Sequence, residues 1–186
     1  MTGPAIRSWD PLVRILHWGI AALVVIDLLN DAGANPVHRW LGYAAGALVA
    51  ARLLWGLVGP SEARLSSIAR SASGTAHYLA FFKSKGDRHL PAGHTPPGAC
   101  LALLLWSLLI VVVGSGWMTQ LDAYWGDDTV QFWHVFAAYV LAGFAVIHVA
   151  GIIATSALYR ANLVMGMITG RDTSRPVEDP AGEPRR

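Results

Sequence analysis

Four apolar stretches alternate with polar connections along the chain. They run over residues 12–29, 40–58, 98–118 and 132–158. Each is about as long as a transmembrane helix must be, 18 or more largely apolar residues, and a chain that crosses lipid must satisfy its backbone hydrogen bonds internally, as a helix does. The pattern therefore predicts an all-α membrane protein in which residues 1–170 form one bundle of four transmembrane helices.

The polar connections predict how this bundle lies in the membrane. A short turn at residues 30–36 joins the first two helices, the long loop at residues 59–97 is basic, and the loop at residues 119–130 carries three aspartates and no basic residue. Arginines also precede the first helix and follow the fourth. Because Lys and Arg accumulate on the cytoplasmic side, we expect cytoplasmic N- and C-termini and a multi-pass protein of the bacterial cytoplasmic (inner) membrane.

Two further segments have a distinct character. Residues 63–82, within the long loop, could form an amphipathic helix at the membrane surface. Residues 171–186 are charged and rich in proline, with one valine as the only large apolar residue, and are predicted to be a disordered cytoplasmic tail.

Composition narrows the class of protein. The chain is 54% hydrophobic and 14% charged, whereas soluble domains are roughly 25% charged. The net charge of +2 is spread over loops and tails, so nothing supports nucleic-acid binding. A single cysteine, Cys100, excludes an intrachain disulfide, a cysteine-cluster metal site and the C-x-x-C-H signature of covalently attached haem.

The histidines carry the candidate chemistry. His134 and His148 lie fourteen residues apart on the fourth helix, hence on one face and about 21 Å apart along its axis. The predicted orientation places His38 at the same level as His134, and His17 at the same level as His148. We call His38 and His134 the outer pair, and His17 and His148 the inner pair.

Paired histidines on different helices are typical of haem ligation. Haem iron in an electron carrier takes two axial ligands, often neutral imidazoles, from opposite sides of the macrocycle. A zinc site would need three or four ligands at one level. A single histidine in a membrane helix can simply hydrogen-bond to a neighbouring helix, but unpaired polar groups in hydrocarbon are costly. Two level-matched pairs therefore favour haem ligation strongly.

Other residues could complete these sites. Gly42 and Gly46 follow His38 on one helix face and remove side-chain bulk where a porphyrin would lie, although this spacing also serves helix packing. Arg52 falls at the depth of the inner haem, where it could pair with a haem propionate or extend to the lipid headgroups. His94 precedes the third helix on the cytoplasmic side, where it could exchange a proton with a quinone or cap the helix.

Acidic residues gather on the predicted outer side. Asp122, Asp127 and Asp128 lie in the third loop, where they could steer a cationic c-type cytochrome to the outer haem or simply keep the loop soluble. Asp27, near the outer end of the first helix, is expected to reach the membrane interface.

Five short motifs, in this order, resemble the bacterial cytochrome b561 family, which includes the b-type cytochrome subunits of nickel–iron hydrogenases. The similarity extends over residues 9–170. The resemblance implies a four-helix bundle with two non-covalent b-type haems, ligated by His17 with His148 and by His38 with His134. The motifs are Arg14-x-x-His17-Trp18, His38-Arg39-x-x-Gly42, Arg52-Leu53-Leu54-Trp55-Gly56, Gly93-His94-Thr95-Pro96-Pro97-Gly98, and Trp133-His134 with His148.

These observations predict a dihaem membrane cytochrome of a respiratory chain. It would carry electrons between the quinone pool and a periplasmic redox protein, such as a c-type cytochrome or a hydrogenase-like oxidoreductase. No flavin, nicotinamide or iron–sulfur signature occurs, so we expect an electron-transfer protein or the membrane subunit of an oxidoreductase. Two alternatives stay open: a self-contained haem-based quinone oxidoreductase acting on a small oxidant such as superoxide, and a haem-free membrane assembly subunit.

Overall fold

The computed structural model describes residues 10–30, 35–61, 63–75, 95–159 and 161–170. Within these ranges the chain is helical and contains no strand. A 3-10 turn, Asp122–Tyr124, separates the last two long helices. The α-helices are α1 (Pro11–Leu29), α2 (Pro36–Val58), α3 (Leu65–Ser73), α4 (Pro96–Met118), α5 (Asp128–Tyr159) and α6 (Leu163–Thr169).

Four of these helices, α1, α2, α4 and α5, are long and apolar enough to cross a membrane. Between 11% and 22% of each apolar window is buried inside the protein, so most of the apolar surface faces outward. An outward apolar surface of this kind is suited to lipid rather than water. The prediction of an all-α membrane bundle of four helices is confirmed, and its orientation in the membrane stays a prediction.

The helices begin with polar caps that an apolar pattern does not reveal. Asp10, Asn35 and Thr95 each accept a hydrogen bond from the backbone N–H three residues ahead, and each is followed by a proline at the start of the helix. This combination of cap and proline favours helix initiation. As a result α2 begins at Pro36, ahead of the predicted start at residue 40. Helix α5 begins at Asp128, ahead of the predicted start at residue 132, and the side chain of Asp127 accepts from the backbone N–H groups of its first turn.

The core of the bundle lies midway along the helices. Ile20, Val49, Leu109 and Leu141 form a buried cluster with one residue from each membrane helix. Leu141 stands seven residues after His134 and seven before His148, so the core separates the two histidine levels.

The packing of the long helices is uneven. In the described ranges α1 packs along α2, α2 along α4 and α4 along α5. The backbone of α5 does not pack closely along α1 or α2. Each histidine pair thus joins α5 to a helix on which it does not pack: α1 for the inner pair and α2 for the outer pair.

Side-chain hydrogen bonds tie the predicted inner ends of the helices together. The indole Nε1 of Trp55, in the last turn of α2, donates to Asp10 Oδ1 at 3.1 Å, so the cap of α1 also holds α2. Nη1 of Arg14 donates to the carbonyl oxygen of Ile168 at 3.1 Å and so binds α6 to α1.

The smaller predicted segments are described only in part. Of the predicted amphipathic segment 63–82, α3 (Leu65–Ser73) is observed as a helix packed on α2 and α4. Residues 76–82 and the predicted tail 171–186 lie outside the described residues.

Candidate functional site

The two imidazoles of the outer pair lie next to each other near one end of the bundle. The ring centroids of His38 and His134 are 5.9 Å apart, and their planes meet at 73°. His38 belongs to the first turn of α2, and His134 to the second turn of α5. The side chains thus meet across the space between two helices that do not pack on each other.

Two contacts fix His38. Its backbone N–H donates to Asn35 Oδ1 at 2.8 Å as part of the helix cap. Its ring Nδ1 lies 2.9 Å from Oδ1 of Asp27, in the last turn of α1. A carboxylate oxygen accepts hydrogen bonds, so Nδ1 is the donor in this contact, and the neutral tautomer that donates from Nδ1 leaves the Nε2 lone pair for a metal.

His134 is held by acceptors of helix α4. Its Nδ1 lies 3.1 Å from the carbonyl oxygen of Val112 and 3.2 Å from Oγ of Ser115. The Ser115 hydroxyl donates to the carbonyl oxygen of Val111 at 2.6 Å, so its oxygen is left to accept. Nδ1 of His134 is therefore also the donor, and Nε2 is free to bind a metal.

The inner pair lies at the other level of the bundle. The ring centroids of His17 and His148 are 6.3 Å apart, with planes at 60°. The indole of Trp18 meets the His17 ring edge-on, at 5.5 Å between centroids. In the part of the chain that the structure describes, neither imidazole of this pair has a hydrogen-bonding partner.

Arg52 is the buried cation beside the inner pair. It is 4% exposed and is the one buried charged residue in the described ranges. Its guanidinium carbon lies 5.6 Å from the ring centroid of Trp106, and it is close enough to His17 for an electrostatic interaction. Nη1 is buried and has no hydrogen-bonding partner among the described residues. The side chain thus points into the protein and leaves a donor available for an anion.

The two glycines of α2 have different surroundings. A β-carbon at Gly42 would meet no atom within 4 Å, although the residue is half-buried. A β-carbon at Gly46 would stand 2.9 Å from Cγ1 of Val113. Gly42 therefore borders open space one turn from His38, whereas Gly46 allows α2 to approach α4.

The candidate quinone residue cannot be placed beside these sites. His94 lies outside the described residues, as do His77 and His89. Its predicted role stays a prediction.

The geometry of both pairs fits an iron held between two imidazoles. Metal–nitrogen bonds to imidazole are about 2 Å long and each ring centroid lies about 1 Å behind its nitrogen, so two imidazoles that share one metal have centroids about 6 Å apart. The distances of 5.9 Å and 6.3 Å match this value. Across the described ranges no three histidine, cysteine or carboxylate side chains converge as a metal-binding group. In the described ranges α5 does not pack closely along α1 or α2, and the unpaired Nη1 of Arg52 could neutralise a propionate of a bound haem.

Sequence reasoning missed the groups that orient these imidazoles. The expectation that Asp27 reaches the membrane interface stays a prediction; the contact of its carboxylate with His38 was not anticipated. A signal for this contact existed, because α1 ends at Leu29 and α2 begins at Pro36, so residues 27 and 38 lie at the same end of the bundle. No sequence signal marks the carbonyl of Val112, since every residue carries one.

Comparison with known proteins identifies the family. No curated protein and no solved structure matches the chain. A family model described as prokaryotic cytochrome b561 matches residues 8–170, a range that contains all four membrane helices and both histidine pairs. Members of this family are membrane b-type cytochromes that bind haem and transfer electrons. The resemblance predicted from the motifs is confirmed, and the chain belongs to the prokaryotic cytochrome b561 family.

Proposed function

We propose that this protein is a dihaem cytochrome that carries electrons across the cytoplasmic membrane, between the quinone pool and a periplasmic redox protein. The outer pair would hold one b-type haem and the inner pair a second. The single observation that carries this proposal is the presence of two imidazole pairs, each at the spacing of a shared metal ion.

The shared helix α5 sets the separation of the two sites. His134 and His148 both project from it, fourteen residues apart, which corresponds to about 21 Å of helix rise. The hydrocarbon core of a bilayer is about 30 Å thick. Two sites at this separation would together cover most of the distance across the membrane.

Each haem, when bound, supplies reversible one-electron chemistry at its iron. The protein's part is to hold and surround it. Hydrogen bonds at Nδ1 direct Nε2 of His38 and of His134 towards the site, as is common for metal-binding histidines. Arg52 would neutralise a propionate of the inner haem, and the apolar cluster around Leu141 keeps water from the space between the levels.

Both ends of the bundle suggest where the redox partners would bind. On the predicted cytoplasmic side, His94 would exchange protons with a bound quinone, because quinone reduction consumes protons. On the predicted periplasmic side, the side chain of Asp122 is exposed and makes no hydrogen bond or ion pair in the described ranges, whereas Asp127 caps α5 by accepting from the backbone N–H groups of Thr129 and Val130. The exposed carboxylates would attract a cationic c-type cytochrome or the surface of a hydrogenase-like oxidoreductase.

Haem content tests the proposal. Purified protein in detergent should hold two haems per chain by pyridine haemochrome assay and should give the reduced-minus-oxidised bands of low-spin b-type haem. A colourless protein would overturn the proposal in favour of a haem-free assembly subunit. One haem per chain would also overturn it.

A second experiment tests whether the protein carries electrons from one side of the membrane to the other. In proteoliposomes that enclose ferricyanide, an impermeant external reductant should reduce the enclosed acceptor only when the protein is present. The His134→Ala variant should stop this transfer, whereas His77→Ala, which alters a histidine of the long loop, should not. Transfer that persists in His134→Ala would contradict a path that uses both sites. Rapid haem oxidation by superoxide, with no transfer across the membrane, would favour the self-contained oxidoreductase.

A further inference from the structure

The carboxylate of Asp27 stands in an unusual place for a membrane helix. It lies in the last turn of α1, inside the segment long and apolar enough to span the membrane. Helix C-termini favour cations, because the macrodipole places negative partial charge there. Helix stability therefore does not account for an acidic residue at this position.

The contact with His38 does account for it. Oδ1 of Asp27 lies 2.9 Å from Nδ1 of His38, and the side chains are 23% and 33% exposed. The partial burial of both groups strengthens the hydrogen bond relative to one in water. The backbone N–H of His38 donates to Asn35 and fixes the main chain of this residue. The contact with Asp27 then fixes its ring.

The four imidazoles differ in the hydrogen-bonding partners of their rings. His38 alone contacts a carboxylate; His134 donates to a neutral carbonyl and a hydroxyl. The rings of His17 and His148 have no hydrogen-bonding partner in the described ranges, and a buried cation, Arg52, lies near His17. The outer site is therefore the one with negative charge beside a ligand.

Resting on the proposed dihaem function, we propose that Asp27 is a positioning residue of the outer haem: it holds the His38 ring with Nε2 towards the iron and lowers the reduction potential of that haem. A carboxylate at Nδ1 gives an imidazole more anionic character and makes it a stronger ligand. A stronger, more anionic ligand stabilises ferric over ferrous iron, so the potential falls.

Redox potentiometry on the purified holoprotein tests this inference. The visible spectrum is titrated in wild type, and the outer component is assigned as the one missing from His134→Ala. Asp27→Asn keeps the size of the side chain and removes its charge. We expect the midpoint potential of the outer haem to rise by about 59 mV, a tenfold change in a one-electron equilibrium, and that of the inner haem to stay unchanged. Asp27→Glu should stay close to wild type.

Asp122→Asn is the matched control. It removes a carboxylate from the same predicted side of the bundle without touching a histidine. Because the potentials are measured on the purified protein without a redox partner, the proposed part of Asp122 in attracting that partner does not enter, and both potentials should stay unchanged. Unchanged potentials in Asp27→Asn, or equal shifts in Asp27→Asn and Asp122→Asn, would overturn the inference.

If Asp27→Asn loses the outer haem, its potential cannot be measured, and the Asp27→Glu variant then tests the inference. Retention of both haems at wild-type potentials in Asp27→Glu would show that the carboxylate is what the site needs, whereas loss there too would refute the role of the charge. The proposed function fails separately, since wild-type protein with fewer than two haems would exclude it before any Asp27 variant is compared.

Discussion

Gly116 in α4 lies directly against the imidazole of His134 in α5. A β-carbon at residue 116 would stand 2.8 Å from Cε1 and 3.3 Å from Nδ1 of His134, which is too close for unbonded carbon and nitrogen atoms. The missing side chain lets the two helices approach until Nδ1 of His134 reaches the carbonyl oxygen of Val112. The orientation of the outer pair thus depends on a residue that carries no chemistry of its own.

Gly116→Ala should damage the outer site and spare the inner one. The added methyl group must displace the His134 ring, which breaks its hydrogen bond to Val112 and turns Nε2 away from the proposed position of the iron. We expect loss of most of the outer haem, measured as haem per chain, with the inner component of the difference spectrum retained.

Gly114→Ala is the control for this substitution. Gly114 lies two residues before Gly116 on the same helix, and a β-carbon there would meet no atom within 4 Å. The variant should keep both haems and gain up to about 1 kcal/mol from the better helix propensity of alanine. Equal haem loss in both variants would contradict the assigned role of Gly116.

Arg52→Gln should change the inner site electrostatically. A buried positive charge favours the state that has gained an electron, so its removal should lower the midpoint potential of the inner haem by about 59 mV for each tenfold change in the equilibrium. Arg52→Lys keeps the charge but loses the contact of the guanidinium with the Trp106 ring, so its shift should be smaller.

Arg39→Gln provides the comparison for Arg52. Arg39 is an exposed arginine on the same helix and donates from Nη1 to Gln120 Oε1 at 3.2 Å. Its removal should leave the inner potential unchanged, because solvent screens an exposed charge. A rise in the inner potential of Arg52→Gln would show that Arg52 does not act as a cation near that haem.

Gly42 and Gly46 should respond differently to added side chains. Gly42→Leu places a side chain in the open space beside His38, where the haem is proposed to lie. The outer haem should therefore be lost, while the inner haem is retained and the unfolding temperature of the bundle changes little.

Gly46→Ala forces Val113 to move, and overpacking of this kind costs about 1–3 kcal/mol. It should therefore lower the unfolding temperature of the whole bundle, followed by circular dichroism. Retention of both haems in Gly42→Leu would place the outer haem elsewhere.

The sequence was sufficient for the fold because lipid simplifies the problem. A segment such as residues 98–118 can only be helical in hydrocarbon, and its length sets one crossing. The level of each histidine along its helix then follows from residue counting, which is why the contacts of His17 with His148 and of His38 with His134 could be anticipated. Their role as iron ligands stays a prediction.

Lateral contacts could not be obtained in the same way. The bond between Asp27 and His38 depends on how α1 is rotated about its axis relative to α2, and the bond from His134 to Val112 depends on a backbone atom. The early starts of α2 and α5 were missed because polar first turns do not differ in hydropathy from loops. The apolar pattern specifies depth and crossing number, but it leaves helix rotation and helix caps undetermined.

Selective haem loss is the most direct test of the central claim, that α5 supplies one ligand to each of two separate haems. Haem per chain and difference spectra would be measured for His134→Ala and His148→Ala beside wild type and His77→Ala. Each α5 variant should retain one haem, the two remaining spectra should differ from one another and sum to that of wild type, and His77→Ala should retain both. Retention of both haems in His148→Ala, or loss of both in His134→Ala together with a folded bundle, would contradict it.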